Sequence, residues 1–321
     1  MFVTPAVAGD TVYVGSCSGV YYALDVVSGE VVWSHDFREE VGHATFHGDP
    51  LLTSSNVITG TESLDPVQAR AFDRSTGRVV WRREGEWAFT RSDVVAVGDL
   101  AIGRNDRAEL VALDAATGEK AWHVPHDGVR YRPDVAESPA VHGTDVFFSA
   151  PDGGLYRVDG RSGEVRWRIE VGCDVSTSLL VHRGDAHVGC ASGRLHRISA
   201  ADGANLGSLD LDRAIGGRLL ASGEEIVVTG GRRWIGAVDR ELAGVRWERT
   251  DLGRLSVVQP FRWRGAVLTG ATDGTLIALD PADGRVLWTV DLEGRIRGLG
   301  AHGDVLLVGT EQGVLHALRA R

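Results

Sequence analysis

One phrase governs what this chain can fold into. It runs from Gly19 through Val20-Tyr21-Tyr22-Ala23-Leu24-Asp25 and Ser28-Gly29 to Trp33, and versions of it return to the C-terminus. The anchor Asp25 is matched by Asp73, Asp114, Asp159, Ser199, Asp239, Asp280 and Arg319. Self-similarity at a spacing of roughly 40 residues marks a solenoid or a propeller. Four residues past the anchor stand Gly29, Gly77, Gly118, Gly163, Gly203 and Gly284, with Ala243-Gly244 in the Asp239 copy. Eight past it stand Trp33, Trp81, Trp122, Trp167, Trp247 and Trp288; the Ser199 copy has Gly207 there, and the last copy stops before reaching it.

Each position has a physical reason. An Asp carboxylate accepts hydrogen bonds from turn amides, and glycine takes positive φ without a Cβ penalty, so the pair favours a tight hairpin. Before the anchor come Ala23, Ala71, Ala112, Ala237, Ala278 and Ala317, with Arg157 and Arg197 as exceptions, and then a large apolar residue such as Leu24, Phe72 or Leu113. Both faces of that strand are mostly apolar, as in a sheet covered on both sides. Turn signals cut every run before two helical turns could form. Upstream lie a second strand, as in Val12-Tyr13-Val14-Gly15, and a first, as in Thr4-Pro5-Ala6-Val7. Four short antiparallel strands per repeat make one propeller blade. The expected fold is an all-β, eight-bladed β-propeller forming one domain over residues 1–321. The eighth blade runs out of chain before its Trp strand, so it is expected to be three-stranded unless residues upstream complete it.

This pattern resembles the pyrroloquinoline-quinone-type repeat, over nearly the whole chain. The likeness is close in the first, third, fourth, seventh and eighth copies and loose in the others. It implies an eight-bladed propeller in which each Trp docks one blade on the next. Families with this repeat include quinone-dependent alcohol dehydrogenases and a scaffold lipoprotein of outer-membrane assembly. A quinone and its Ca²⁺ are not expected here, because the chain has no adjacent Cys-Cys pair and no obvious acidic cluster for the metal. No metal site and no other cofactor are expected either. His43 and His47 lie four apart, but outside a helix that spacing does not bring both to one ion.

The net charge is −10, with no basic run longer than a pair, which argues against nucleic-acid binding. No stretch approaches the roughly 20 apolar residues of a membrane span. Three cysteines are no disulfide framework. Cys173 and Cys190 can meet if their strands pair, but the odd count and the lack of a signal peptide favour free buried thiols and a soluble, cytoplasmic protein.

Candidate site residues follow from position. The link from Trp122 to Val141 is long and dense in titratable groups, and Glu137, Asp134 and His126 are its acid–base candidates. Side chains just before each innermost strand should line the central channel, a usual ligand site. They supply the ligand-binding candidates Ser138, Thr177, Ser178, Arg218, Gln259 and Arg297, joined by His43, Arg91 and Asp174 from the neighbouring links. Two functions remain open. The first is a non-catalytic scaffold holding a protein, peptide or small ligand at the channel or a face, with self-association through the open edge of the last blade as a further option. The second is a cofactor-independent small-molecule enzyme of a bacterial biosynthetic pathway, acting at the channel mouth.

Overall fold

The structure is a computed structural model that describes residues 4–16, 18–41, 44–46, 48–61, 67–90, 92–126, 138–230, 233–256 and 258–319. Seven four-stranded antiparallel sheets and one three-stranded sheet follow one another in chain order. They form the eight blades of a ring, with the innermost strands of blades 8 and 1 side by side at the seam. There Gly300 comes so close to the Pro5 carbonyl that a Cβ would stand 2.4 Å from that oxygen. Helix is almost absent among the described residues: one turn at Arg38–Val41 and a 3₁₀ turn at Gly85–Trp87.

Blade 1 shows the pattern. Its strands, from hub to rim, are Ala6–Ala8, Thr11–Gly15, Val20–Asp25 and Val31–Asp36. Asp25 Oδ1 accepts from the amides of Val27 and Ser28 and from the Ser28 hydroxyl, closing the turn between the third and fourth strands. The ladder then slips by one residue between Ala23 and Leu24, which brings Trp33 opposite Ala23. The same slip recurs in the six other four-stranded blades.

The core is not one body. It is a set of apolar layers between adjacent blades, such as Ile58, Ala71, Trp81, Phe89 and Leu113 between blades 2 and 3. Each repeat Trp belongs to such a layer, and the repeat glycine explains how. A Cβ at Gly77 would stand 2.6 Å from the Trp33 indole, and the same holds at Gly118 against Trp81. The glycine thus has two tasks: it takes φ near +70° in its own turn, and it is the floor on which the previous blade's indole lies. The indole N–H then bonds the carbonyl one residue past the next anchor: Trp33 to Arg74, Trp81 to Ala115, Trp167 to Ala200 and Trp247 to Pro281.

The cysteine expectation is corrected. Cys173 and Cys190 form a disulfide with Cα atoms 5.9 Å apart, across the bridge that pairs Val175 with Cys190. Proximity imposed by that bridge outweighs the parity of the count. Cys17 lies outside the described residues.

Candidate functional site

Strand register identifies the hub residues. The first paired residues of the innermost strands of blades 1 to 7 are Ala6, Leu51, Val95, Ala140, Leu180, Leu220 and Phe261, and in blade 8, where pairing begins earlier at Ile296, Gly300 holds the equivalent register opposite Leu307. Two residues upstream of each stand Thr4, Asp49, Asp93, Ser138, Ser178, Arg218, Gln259 and Gly298. These eight positions ring one mouth of the channel.

A relay of hydrogen bonds runs around this ring. The Asp49 amide donates to the Asp93 carboxylate at 2.8 Å, the Asp93 amide to the Ser138 hydroxyl at 3.3 Å, and the Ser138 amide to the Ser178 hydroxyl at 3.2 Å. The Arg218 amide donates to the Gln259 side-chain carbonyl. In these four blades the amide of the ring residue is therefore satisfied by the next blade's side chain. Between Ser178 and Arg218 the relay changes form, because a guanidinium has no acceptor. There the two segments pair as short parallel strands, Thr177–Ser178 with Gly217–Arg218.

Freed from the relay, the Arg218 side chain crosses the hub. Its Nη1 lies 2.9 Å from Asp49 Oδ2, and its Nη2 pairs with Asp93 Oδ2. Blade 6 is thus tied to blades 2 and 3 on the far side of the ring. Burial pushes the Asp93 carboxyl up, the Asp49 carboxylate adds to that, and Arg218 opposes both. Burial disfavours the charged guanidinium, yet the two carboxylates outweigh it and hold Arg218 firmly protonated. The mouth of the channel is bridged by the chain's own ion pairs.

Of the expected site residues, Ser138, Ser178, Arg218 and Gln259 are brought together in this ring. Thr177 is not: it is fully buried, and its hydroxyl accepts from the Gly189 amide within its own blade. Arg297 precedes the ring position, which in blade 8 is Gly298, and pairs with Glu311 at 3.4 Å. Asp174 is exposed in the link before the blade 5 entry. His126 bonds the Arg107 carbonyl in the turn between the second and third strands of blade 3, at 2.9 Å. Glu137, Asp134, His43 and Arg91 lie outside the described residues. Sequence reading missed Asp49 and Asp93, because the unequal links before blades 2 and 3 blur the alignment. The distance from each entry residue to its own second strand carried the missing signal.

Cys173, Cys190 and His196 also lie together, with His196 Nε2 4.0 Å from Cys173 Sγ. With both sulfurs in a disulfide, the cluster offers no thiolate to a metal.

Fold and hub together define a β-propeller of the pyrroloquinoline-quinone repeat class. A family described as outer membrane protein assembly factor BamB matches residues 3–205, 67–260 and 191–321, and the chain belongs to that family. The outer membrane protein assembly factor BamB of Yersinia pestis is 23% identical over 98% of this chain and 83% of its own length. Among solved structures, BamB from Moraxella catarrhalis superposes with a TM-score of 0.84 at 17% identity, covering 99% of this chain and 96% of that one. A europium-containing methanol dehydrogenase has the same fold with a TM-score of 0.71 at 14% identity, the chain covering 81% of its length. The cytoplasmic expectation is overturned: the family and its Yersinia member are named for the outer membrane. The Cys173–Cys190 disulfide agrees with the correction, since such bonds persist in oxidising compartments. No helix among the described residues is long and apolar enough to cross a membrane.

Proposed function

We propose that this chain is a non-catalytic protein-binding scaffold that works in an oxidising compartment without quinone, calcium or another cofactor. The observation that carries this reading is the hub: Arg218 spans the channel mouth to Asp49 and Asp93 at the place where a propeller enzyme would seat a ligand. Full-length likeness to the BamB family supports it. A bridged hub leaves the loops around the mouth and the blade edges as the binding surface, and a rigid ring presents such loops without reorganisation. The partner is a protein or peptide; nucleic acid is disfavoured by the acidic charge.

The test is affinity capture from the extracytoplasmic fraction of the source cell, followed by cross-linking and mass spectrometry. One recurrent partner cross-linked to the loops at the ring mouth or to a blade edge is the expected outcome. A chain that remains a lone monomer there, or that turns over a small molecule at the hub, overturns the reading.

A further inference from the structure

Blade 5 brings two sulfurs and an imidazole to one place. Cys190 opens the turn between its second strand, Asp185–Gly189, and its third, Arg194–Ser199. His196 stands on that third strand, opposite Val188. Cys173 comes from the link that enters the blade. The two sulfurs and a ring nitrogen of His196 all lie within 4.8 Å of one another. Cys190 is fully buried and His196 is 8% exposed, whereas Cys173 is half-buried and open to a reagent from solvent.

The backbone holds this group without help from the S–S bond. On either side of the bridge between Val175 and Cys190, the Ser176 amide donates to the Gly189 carbonyl at 2.9 Å and the Ala191 amide to the Asp174 carbonyl at 2.8 Å. The turn after Cys190 is closed by two more bonds, from the Cys190 amide to the Arg194 carbonyl and from the Gly193 amide to the Cys190 carbonyl. Opening the disulfide therefore leaves both cysteines side by side, with the imidazole against them. Two thiolates and an imidazole are a zinc donor set. With Zn–S and Zn–N bonds of about 2.3 and 2.0 Å, a tetrahedral ion spaces sulfur from nitrogen by roughly 3.6 Å. Cys173 Sγ and His196 Nε2 stand 4.0 Å apart. Only the two sulfurs have to part, by rotation about their Cα–Cβ bonds. Charge favours the same occupant, since two thiolates cancel Zn²⁺ and a neutral complex costs less to bury.

We propose that Cys173, Cys190 and His196 form a redox-gated zinc site, closed to metal while the disulfide stands and open to one Zn²⁺, with water as the fourth ligand, once it is reduced. A dithiol reductant does the opening. One of its thiolates attacks the reachable Cys173 sulfur, and the Cys173–Cys190 bond breaks with its electron pair leaving on Cys190. The second thiol then resolves the mixed disulfide. Two electrons and two protons pass to the cysteines, and the reductant leaves as a disulfide. Binding of Zn²⁺ releases both thiol protons to solvent. A disulfide oxidant reverses the sequence: the Cys173–Cys190 bond re-forms, the oxidant departs as a dithiol, and the ion is set free.

The site is separate from the scaffold reading, which survives its failure. The test uses the whole untagged chain carrying Cys17→Ser, so that no third thiol remains. The chain is reduced with a phosphine and freed of it without oxygen. Zinc uptake is measured by competition with a chromophoric chelator, and Co²⁺ in place of zinc reports the ligands by its absorption. The expected result is one Zn²⁺ per reduced chain and none per oxidised chain, with an intense sulfur-to-cobalt charge-transfer band. Zinc should also restore part of the melting temperature lost on reduction. His196→Gln, which keeps the disulfide, should lower the zinc affinity of the reduced chain at least about tenfold. Cys190→Ser should take up none with or without reductant. Equal uptake by oxidised and reduced chains, or no uptake by the reduced one, overturns the proposal. So does either variant binding as tightly as the reduced parent. Loss of amide protection across residues 185–199 on reduction also overturns it, because the backbone would then not hold the ligands together.

Discussion

The guanidinium of Arg218 stands between two carboxylates that would otherwise repel. Arg218→Gln should destabilise the fold by about 1–3 kcal/mol, less than for a fully buried pair, because Arg218 is 35% exposed and water reaches the hub. The loss should be greater at pH 8 than at pH 4. Burial and Asp49 raise the Asp93 pKa, so without Arg218 the folded protein takes up a proton more readily than the unfolded chain as pH falls, and acid partly relieves the defect. Urea titrations at the two pH values check this; an equal loss at both would show that Asp93 does not carry the effect. Trp81 is 6% exposed and fills the layer between blades 2 and 3, so Trp81→Ala should cost about 3–5 kcal/mol in the same assay. The two arginines that break the repeat's alanine also find reasons here. Arg157 bonds Asp145 at 2.7 Å and Arg197 bonds Asp185 at 2.6 Å, so each half-buried cation arrives with an acid one strand away. Arg157 also reaches the Ala200 and Ala201 carbonyls of the next blade, beside the acceptor that Trp167 uses.

At the scale of the element, the third-to-fourth-strand turn is a small electrostatic device. Hydroxyls of Ser75 and Thr76, then the Thr76 amide, hold the Asp73 carboxyl at about 2, below its ordinary 3.8. A depressed carboxyl adds stability that is present above its unfolded pKa and is lost as pH falls towards 2. Asp73→Asn should therefore flatten the pH dependence of the melting temperature between pH 4 and 2 and leave its slope near pH 7 unaltered. The entry to blade 5 holds the other device. The Cys173–Cys190 bond closes a loop of 17 residues, and Cys190→Ser should cost about 3 kcal/mol by the loop-closure argument. Thermal melts with and without reductant provide the check: reductant should lower the wild-type melting point and leave that of the variant unchanged.

For the whole molecule, eight layers in a closed ring mean that stability is set by neighbouring pairs of blades. Among the described residues the seam between blades 8 and 1 is the thinnest, with four buried side chains and no ring. It should open first. In native-state amide exchange, residues 305–319 and 6–15 should exchange by a lower-energy opening than residues 56–73 and 100–114, whose layer holds Trp81 and Phe89. Uniform protection around the ring would contradict that order.

The eightfold architecture was legible in the chain itself, because a blade is a local object: its anchor Asp, its glycine and its Trp lie within nine residues of one another. The three-stranded eighth blade was legible for the same reason. Long-range pairings were not. The Asp49–Arg218 contact joins residues 169 apart, across links of unequal length that no spacing rule aligns. The disulfide depended on one isolated bridge, and parity of the cysteine count argued the other way. Local turn chemistry can be read from composition and period, whereas which side chain crosses the hub depends on closing the ring, and only the tertiary structure decides that.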